Sequence, residues 1–557
     1  MTRRNILVIT FAALVVAAAG LTSCASTQNS AGGPATTTVY VNAGTGNDSN
    51  NCSVATPCRT IQHAIDQAVA PAVVSIAGGD YPGGLNLNKD GITLQGAPGP
   101  RPNVVLPDGI VNGVGNVYVT ASNIGIDHLH IQKTDTASAT ALINEPVIPA
   151  SGGKPASLHT SLTLNDLLAD GAYFGAWLNT LDLKVTNSTW INQNSDSVWV
   201  RTSQGSAVIS GNTFTGGRKK AISYEPKTDS LATTGTISVT NNVLNGKTNF
   251  FVFSQWVDSK TAPKVAIDVS SNRLQGLTSS AIAVWDASPA GTFDHTHISS
   301  FTAHFNQIYP IASGLFAIRN DMTGGTAKPD VPIAGQNNWF GCNLGPTDSA
   351  CSHVDATVTA NPWLTLGLAA KSSSVGVKQT VGLSATLTKN SAGQDTSSQG
   401  HVPDGASIGL SADKGTVGTP VTTVNGVASA TFTAPDVPAD VTITAKLDAA
   451  GVSIPIKVTS AVPSAPQNVT AVSGAKSTIT VTWVAPASPG SSPITSYKAT
   501  AVDNGGKNSG SCTAAGDALT CTITGIKGGG PEYDVTVTAT NASGTGPPSA
   551  PVKVTPK

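Results

Sequence analysis

A six-residue pattern, apolar-x-x-Asn-x-apolar, recurs along the first two-thirds of the chain and restricts the folds open to it. The Asn position also holds Asp or Ser. The pattern falls around Asp127, Asn165, Ser188, Asn212, Asn242, Asn272, Asn306 and Asn338, in steps of 38, 23, 24, 30, 30, 34 and 32 residues. A repeat of roughly 20–40 residues signals a solenoid, whose units bury their apolar faces only against their neighbours. Each unit is a short β-branched run, then Asn, then one large apolar residue, as in Val208–Gly217 and Asp268–Gly276. Asn tolerates the left-handed backbone that a tight corner requires, so the motif Asn is expected to form the corner itself. Strands joined by such corners, with insertions of variable length, describe a β-helix.

The segments "VYVNAGTGNDSNNCSVATPCRTIQHAIDQA" and "VVSIAGGDYPGGLNLNKDGITLQG" give this reading a family. Residues 37–363 resemble the right-handed parallel β-helix proteins of the pectate-lyase-like kind. The resemblance implies a short helix capping the N-terminal end. Ile61, Ala64, Ile65 and Ala68 stand at the helical spacing such a cap needs. The segment "NNWFGCNLGP" resembles the last coil of bacterial members. Activity is another matter, because this scaffold carries lyases, hydrolases, esterases, epimerases and plain adhesins.

The chain has 557 residues, enough for several domains. Charged residues make up 11%, against about 25% in an ordinary globular protein. With a net charge of −1, nothing points to nucleic acid as a partner. Arg3 and Arg4 precede an apolar run from Ile6 to Gly20, too short for a comfortable membrane span but of the form of a signal peptide. It ends in Leu21-Thr22-Ser23-Cys24, which resembles the bacterial lipobox. That resemblance implies a leader over residues 1–24, lipid on Cys24, and a membrane anchor outside the cytoplasm. Residues 25–36 read as a flexible tether. The other six cysteines form three local pairs, Cys52/Cys58, Cys342/Cys351 and Cys512/Cys521, expected as disulfides in an exported chain.

After Trp363 the pattern changes to alternating runs separated by Gly, Asn and Asp turns, the pattern of small antiparallel sandwiches. Residues 364–460, with "NGVASATF", resemble bacterial Ig-like modules. Residues 463–557, with "PSAPQNVTAV", "TITVTWVAP" and "YDVTVTATNASGTGPPSAP", resemble a fibronectin type III domain. There Trp483 and Tyr497 would be core aromatics and Tyr533 the tyrosine corner. The fold class is therefore all-β: a right-handed parallel β-helix followed by two β-sandwich domains, the sandwiches reading as spacers.

Side chains that could carry chemistry gather in the strand preceding each motif. Aligning these strands with Val198, Ile222, Ile282 and Phe316 inward gives an outward column of Trp177, Arg201, Glu225, Ser254, Trp285 and Arg319. A second column holds Thr202, Gln255, Asp286 and Asn320, with Trp199 and Trp256 close by. Aromatic faces and Arg forks suit a polysaccharide or surface glycan, so Trp177, Trp199, Trp285 and Arg319 are candidate binding residues. Arg201, Glu225 and Asp286 are candidate catalytic residues of a polysaccharide lyase or glycoside hydrolase. Glu225 and Asp286 stand two coils apart, roughly 10 Å, which lies at or beyond the separation of an inverting pair. The Asp-Asp and Gly-His-Gly signatures of polygalacturonase-like hydrolases are missing, and no convincing Lys/Arg lyase pair replaces them. No cofactor is evident. Calcium is common in this fold, yet no residue pattern marks a site, and Asp294, His295 and His297 sit in an insertion. The expectation is a monomeric, surface-anchored glycan-binding lipoprotein, with a carbohydrate-active enzyme as the alternative.

Overall fold

In the computed structural model, described residues are 36–557 apart from 109–114, 135–139, 147–157, 202–204, 226–234, 247–248, 256–263, 287–297, 310–314, 322–331, 419–420 and 476. Cys24 and the leader lie outside them. Three parallel sheets of 12, 9 and 10 strands wind through residues 37–359 as a β-helix. One coil contributes Gly205–Ser210 to the first sheet, Thr213–Thr215 to the second and Lys220–Tyr224 to the third. The next repeats the order with Gly235–Thr240, Val243–Asn245 and Asn249–Gln255.

The β-branched runs of the sequence become the inner faces. Ala207, Ile237 and Ile267 stack in register, as do Ile209, Val239 and Val269, and Phe214, Leu244 and Leu274. All are buried, each aliphatic side chain contributing about 1.5–3 kcal/mol. At the N-terminal end the helix Ile61–Gln67 covers this core with Ile61, Ala64 and Ile65. Thr60 Oγ1 caps it by accepting from the His63 N–H, and Lys89 Nζ donates to the carbonyls of Ile65, Asp66 and Ala68 at its other end. The cap expected from the apolar spacing is present.

The motif Asn does a different job from the one expected. The left-handed residue is the one before it: Asn187, Gly211, Asn241, Ser271, Phe305 and Asn337 all have φ between 53° and 71°. Asn212, Asn242, Asn272, Asn306 and Asn338 instead turn inward and are fully buried. Each of the first four donates from Nδ2 to the next Oδ1 at 3.0 Å, and the backbone N–H of each donates to the same oxygen. A buried amide is tolerable only when its bonds are made, and this ladder makes them. The first two repeats were misframed. Asp127 pairs with Asn165 and Asn165 with Thr186, two residues before the ladder, and Leu129 and Leu167 take the equivalent place.

Disulfides join Cys52–Cys58, Cys342–Cys351 and Cys512–Cys521, as the local pairing suggested. Beyond the solenoid, Leu364–Ala370, Thr380–Asn390 and Val427–Thr433 face a sheet built around Ala439–Leu447 and Ala450–Thr459. A second sandwich follows, with Gln467–Ser473, Ile479–Val484 and Thr520–Ile523 against a sheet centred on Ile494–Asp503 and Tyr533–Asn541.

Candidate functional site

The third sheet positions the candidate residues. Val198, Ile222, Phe251, Ile282 and Ile318 stack in register and are buried in the core. Their partners two residues on, from Val200 and Tyr224 to Phe253 and Val284, are buried too. Residues between them face outward. The residues expected in the first outward column are divided between two columns. Trp177 pairs with Trp199, which leads through Ser223, Val252 and Ala283 to Arg319. Arg201, Glu225, Ser254 and Trp285 hold the adjacent column, the last two paired directly. Trp177 and Arg319 were thus placed two residues out of register. A slip of two preserves the face and changes the column, so alternation alone does not detect it. Asp286 ends the strand Ile282–Asp286, paired with Gln255; its side chain, like Thr202, Trp256 and the 294–297 insertion, is outside the described residues.

The correction changes the chemistry. Trp177 and Trp199 stack on one another, ring centroids 4.6 Å apart and planes 29° apart. Phe174 packs on both, and the Arg201 guanidinium lies 5.1 and 4.9 Å from the two indole centroids. These two Trp therefore form a supported platform capped by a cation. Arg201 also reaches Glu225 at 4.0 Å, both side chains only 10% exposed. A second pair, Lys220 and Asp196 at 3.9 Å, lies beside the first. Lys220 Nζ sits 5.0 Å from the Trp285 ring and donates to Ser223 Oγ at 3.4 Å.

Burial pushes the Glu225 carboxyl above the ordinary glutamate range, with Arg201 and Lys220 pulling back and Asp196 adding to the rise. Asp196 is likewise pushed up by burial, opposed mainly by Lys220. Sequence reasoning missed Asp196 and Lys220 as site residues. They stand 24 residues apart, the length of that coil, and this spacing was the available signal.

Between Lys220, Val252, Ser280, Ala283, Trp285 and Arg319 lies a recess of about 180 Å³. Trp285 stands at it 42% exposed. Ser254, beside Trp285 in the column, has its Oγ buried without a hydrogen-bond partner among the described residues. Among those residues the one grouping of metal-ligating atoms is Cys52, Cys58 and His63. The two cysteines are spent on a disulfide, so this group offers no thiolate. No helix among the described residues is long and apolar enough to cross a membrane.

The second sandwich carries the features that decide its family. Trp483 and Tyr497 are buried with ring centroids 5.3 Å apart. The Tyr533 hydroxyl accepts from the Lys527 N–H at 3.1 Å, which closes a tyrosine corner. Residues 464–555 match the fibronectin type III domain family. This part of the chain is a fibronectin type III domain. Solved structures similar to the chain include titin kinase and its flanking domains, at 26% identity and TM-score 0.16, covering 17% of this chain and 18% of that one. The FN5 domain of Drosophila Lar matches at 28% identity and TM-score 0.15, over 17% of this chain and 99% of that one. The chicken CNTN1 FN1-FN3 domains match at 17% identity and TM-score 0.18, over 33% and 62%. No curated protein matches the chain.

Proposed function

We propose that this protein is an exported, surface-anchored lipoprotein whose β-helix binds polysaccharide or a cell-surface glycan on the outer face of its third sheet. The observation behind this reading is the pairing of the exposed Trp285 ring with a recess lined by Lys220 and Arg319, beside the Trp177–Trp199–Arg201 stack. An aromatic face covers the apolar side of a pyranose while cationic donors take hydroxyl or carboxylate oxygens. Three disulfides fit an oxidising compartment, and the Leu21–Cys24 segment supports the lipid anchor. The test is a glycan array followed by titration of each hit. Trp285→Ala should weaken binding by about 1–3 kcal/mol, taking base–aromatic stacking as the measure of a sugar–aromatic stack. Its melting temperature should stay near that of the unaltered protein, since an exposed side chain contributes little to the core. Unchanged affinity in Trp285→Ala removes the site.

A second reading, a carbohydrate-active enzyme, has one observation in its favour. Glu225 and Asp196 are both pushed above the ordinary carboxyl range within one cluster that also holds Arg201 and Lys220. A carboxyl pushed up by burial is the kind of group a general acid uses. Reducing-end and unsaturated-product assays on the array hits separate the readings, because a binder releases neither product.

A further inference from the structure

The join between the solenoid and the first sandwich contains no linker. Leu364 N–H donates to the carbonyl of Asn338, the last ladder Asn, at 2.9 Å. Leu364 is also the first residue of the sandwich strand Leu364–Ala370. Trp339 N–H donates to Asn306 O and Gln307 N–H to Asn272 O in the same way, so the column that runs Gln307, Trp339 passes on to a residue of the next domain. At the same place two solenoid side chains leave their own core and join that of the sandwich. Phe305 and Trp339, from the last coils, belong to one buried cluster with Leu364, Leu387, Ile408 and Leu447 of the sandwich. Phe305 stands at a corner position elsewhere filled by Asn, Gly or Ser, with φ 56°. A large apolar side chain held in a left-handed corner needs a reason, and the sandwich core supplies one.

Polar bonds cross the same boundary. Trp339 Nε1–H donates to Asp448 Oδ2 at 2.7 Å, and Gln307 Nε2 donates to the same oxygen at 3.2 Å. Ala449 N–H donates to Gly341 O at 2.9 Å, and Asn390 Nδ2 to Asn337 Oδ1 at 3.1 Å. The fibronectin domain shows the contrast. Its buried cluster is drawn entirely from its own residues, and it meets the first sandwich where Ser491 lies against Gly376.

We propose that the first sandwich is the closing element of the solenoid and not a spacer, so that residues 37–460 open as one cooperative unit from which the fibronectin domain is independent. An exposed solenoid end leaves unpaired strands and apolar side chains, which is why repeat proteins need a terminal cap. Here the N-terminal helix covers one end and the sandwich serves the other.

Native-state hydrogen exchange on the full chain tests this, because amides that open together share one opening free energy. Asp448→Ala leaves the Trp339 N–H unpaired in a buried place. Exchange should then speed up by the same factor, on the order of tenfold or more, at the ladder amides of Asn242, Asn272 and Asn306 and at the sandwich amide of Leu387. The fibronectin amide of Val537 should keep its rate. Faster exchange in the sandwich with unchanged ladder amides overturns the proposal. Should Asp448→Ala fail to fold, the unaltered chain in mild denaturant gives a second readout. One common opening free energy for ladder and sandwich is the expected result, and two separate values overturn it.

Discussion

Replacing Asn272 by alanine tests the ladder most directly. Asn272 Oδ1 accepts two bonds, from the Asn242 backbone N–H and from Asn242 Nδ2, both at 3.0 Å. Its Nδ2 donates to Val239 O at 2.8 Å, Ser270 O at 3.1 Å and Asn306 Oδ1 at 3.0 Å. Alanine removes all five and leaves the Asn242 N–H without an acceptor inside the solenoid. One orphaned buried donor costs about 1–3 kcal/mol, and each remaining bond is worth about 1 kcal/mol net, shared among partners that keep other bonds. The expected loss is about 3–5 kcal/mol, in the range reserved for broken buried networks. Asn245→Ala, an exposed Asn on the preceding coil, should cost less than about 0.5 kcal/mol. Urea unfolding followed by far-ultraviolet circular dichroism measures both. Asn272→Asp sharpens the test, because it keeps the acceptors and loses the donors. A carboxylate at that fully buried position has its folded pKa raised, so its lost stability should return as pH falls through that value. A loss for Asn272→Ala no greater than that for Asn245→Ala refutes the account of the ladder.

The other predictions concern separate parts of the chain. Glu225 has a folded pKa raised by burial, so its carboxylate is a liability above that pKa and the stability is regained on acidification toward the ordinary glutamate range. Glu225→Gln should flatten this part of the stability–pH curve, and an unchanged curve contradicts the assignment. A fragment of residues 463–557 should fold alone, and Trp483→Ala in it should lose about 3–5 kcal/mol in denaturant titration as a core aromatic truncation; a loss under about 1 kcal/mol rules out the core role. Cys24→Ala protein should move from the membrane fraction to the medium, and retention in the membrane fraction excludes lipid at that residue.

How far the sequence was legible depended on which physical constraint each residue answers to. The solenoid was readable because the ladder demands the same amide at the same place in every coil, and the inner strands demand β-branched residues on one face. The cap helix and the three disulfides were readable for similar local reasons. The frame of the first coils was not. Asp127 and Asn165 carry the right residue type two positions early, while Leu129 and Leu167 hold the ladder place. An apolar leucine there satisfies the core without needing a rung.

The columns of the candidate site slipped in the same way and for a deeper reason. Alternation assigns a residue to a face, but the column it joins is decided by backbone pairing between coils, and a two-residue slip leaves the alternation intact. Trp177 and Arg319 were given the correct face and the wrong neighbours. That error matters because the chemistry of a β-helix surface is made by column neighbours. Arg201 beside Glu225, already neighbours in the expected column, makes the buried ion pair, while Trp177 on Trp199 makes the stacked platform, which the slipped register had separated. Asp448 is the extreme case. In the sequence it is an ordinary turn residue between two strands, and only the docking of the sandwich brings it to Trp339. Burial there pushes its carboxyl up while the indole and Gln307 hold it down. Its environment comes from residues more than a hundred positions away, so periodicity, which is a local statement, cannot carry it.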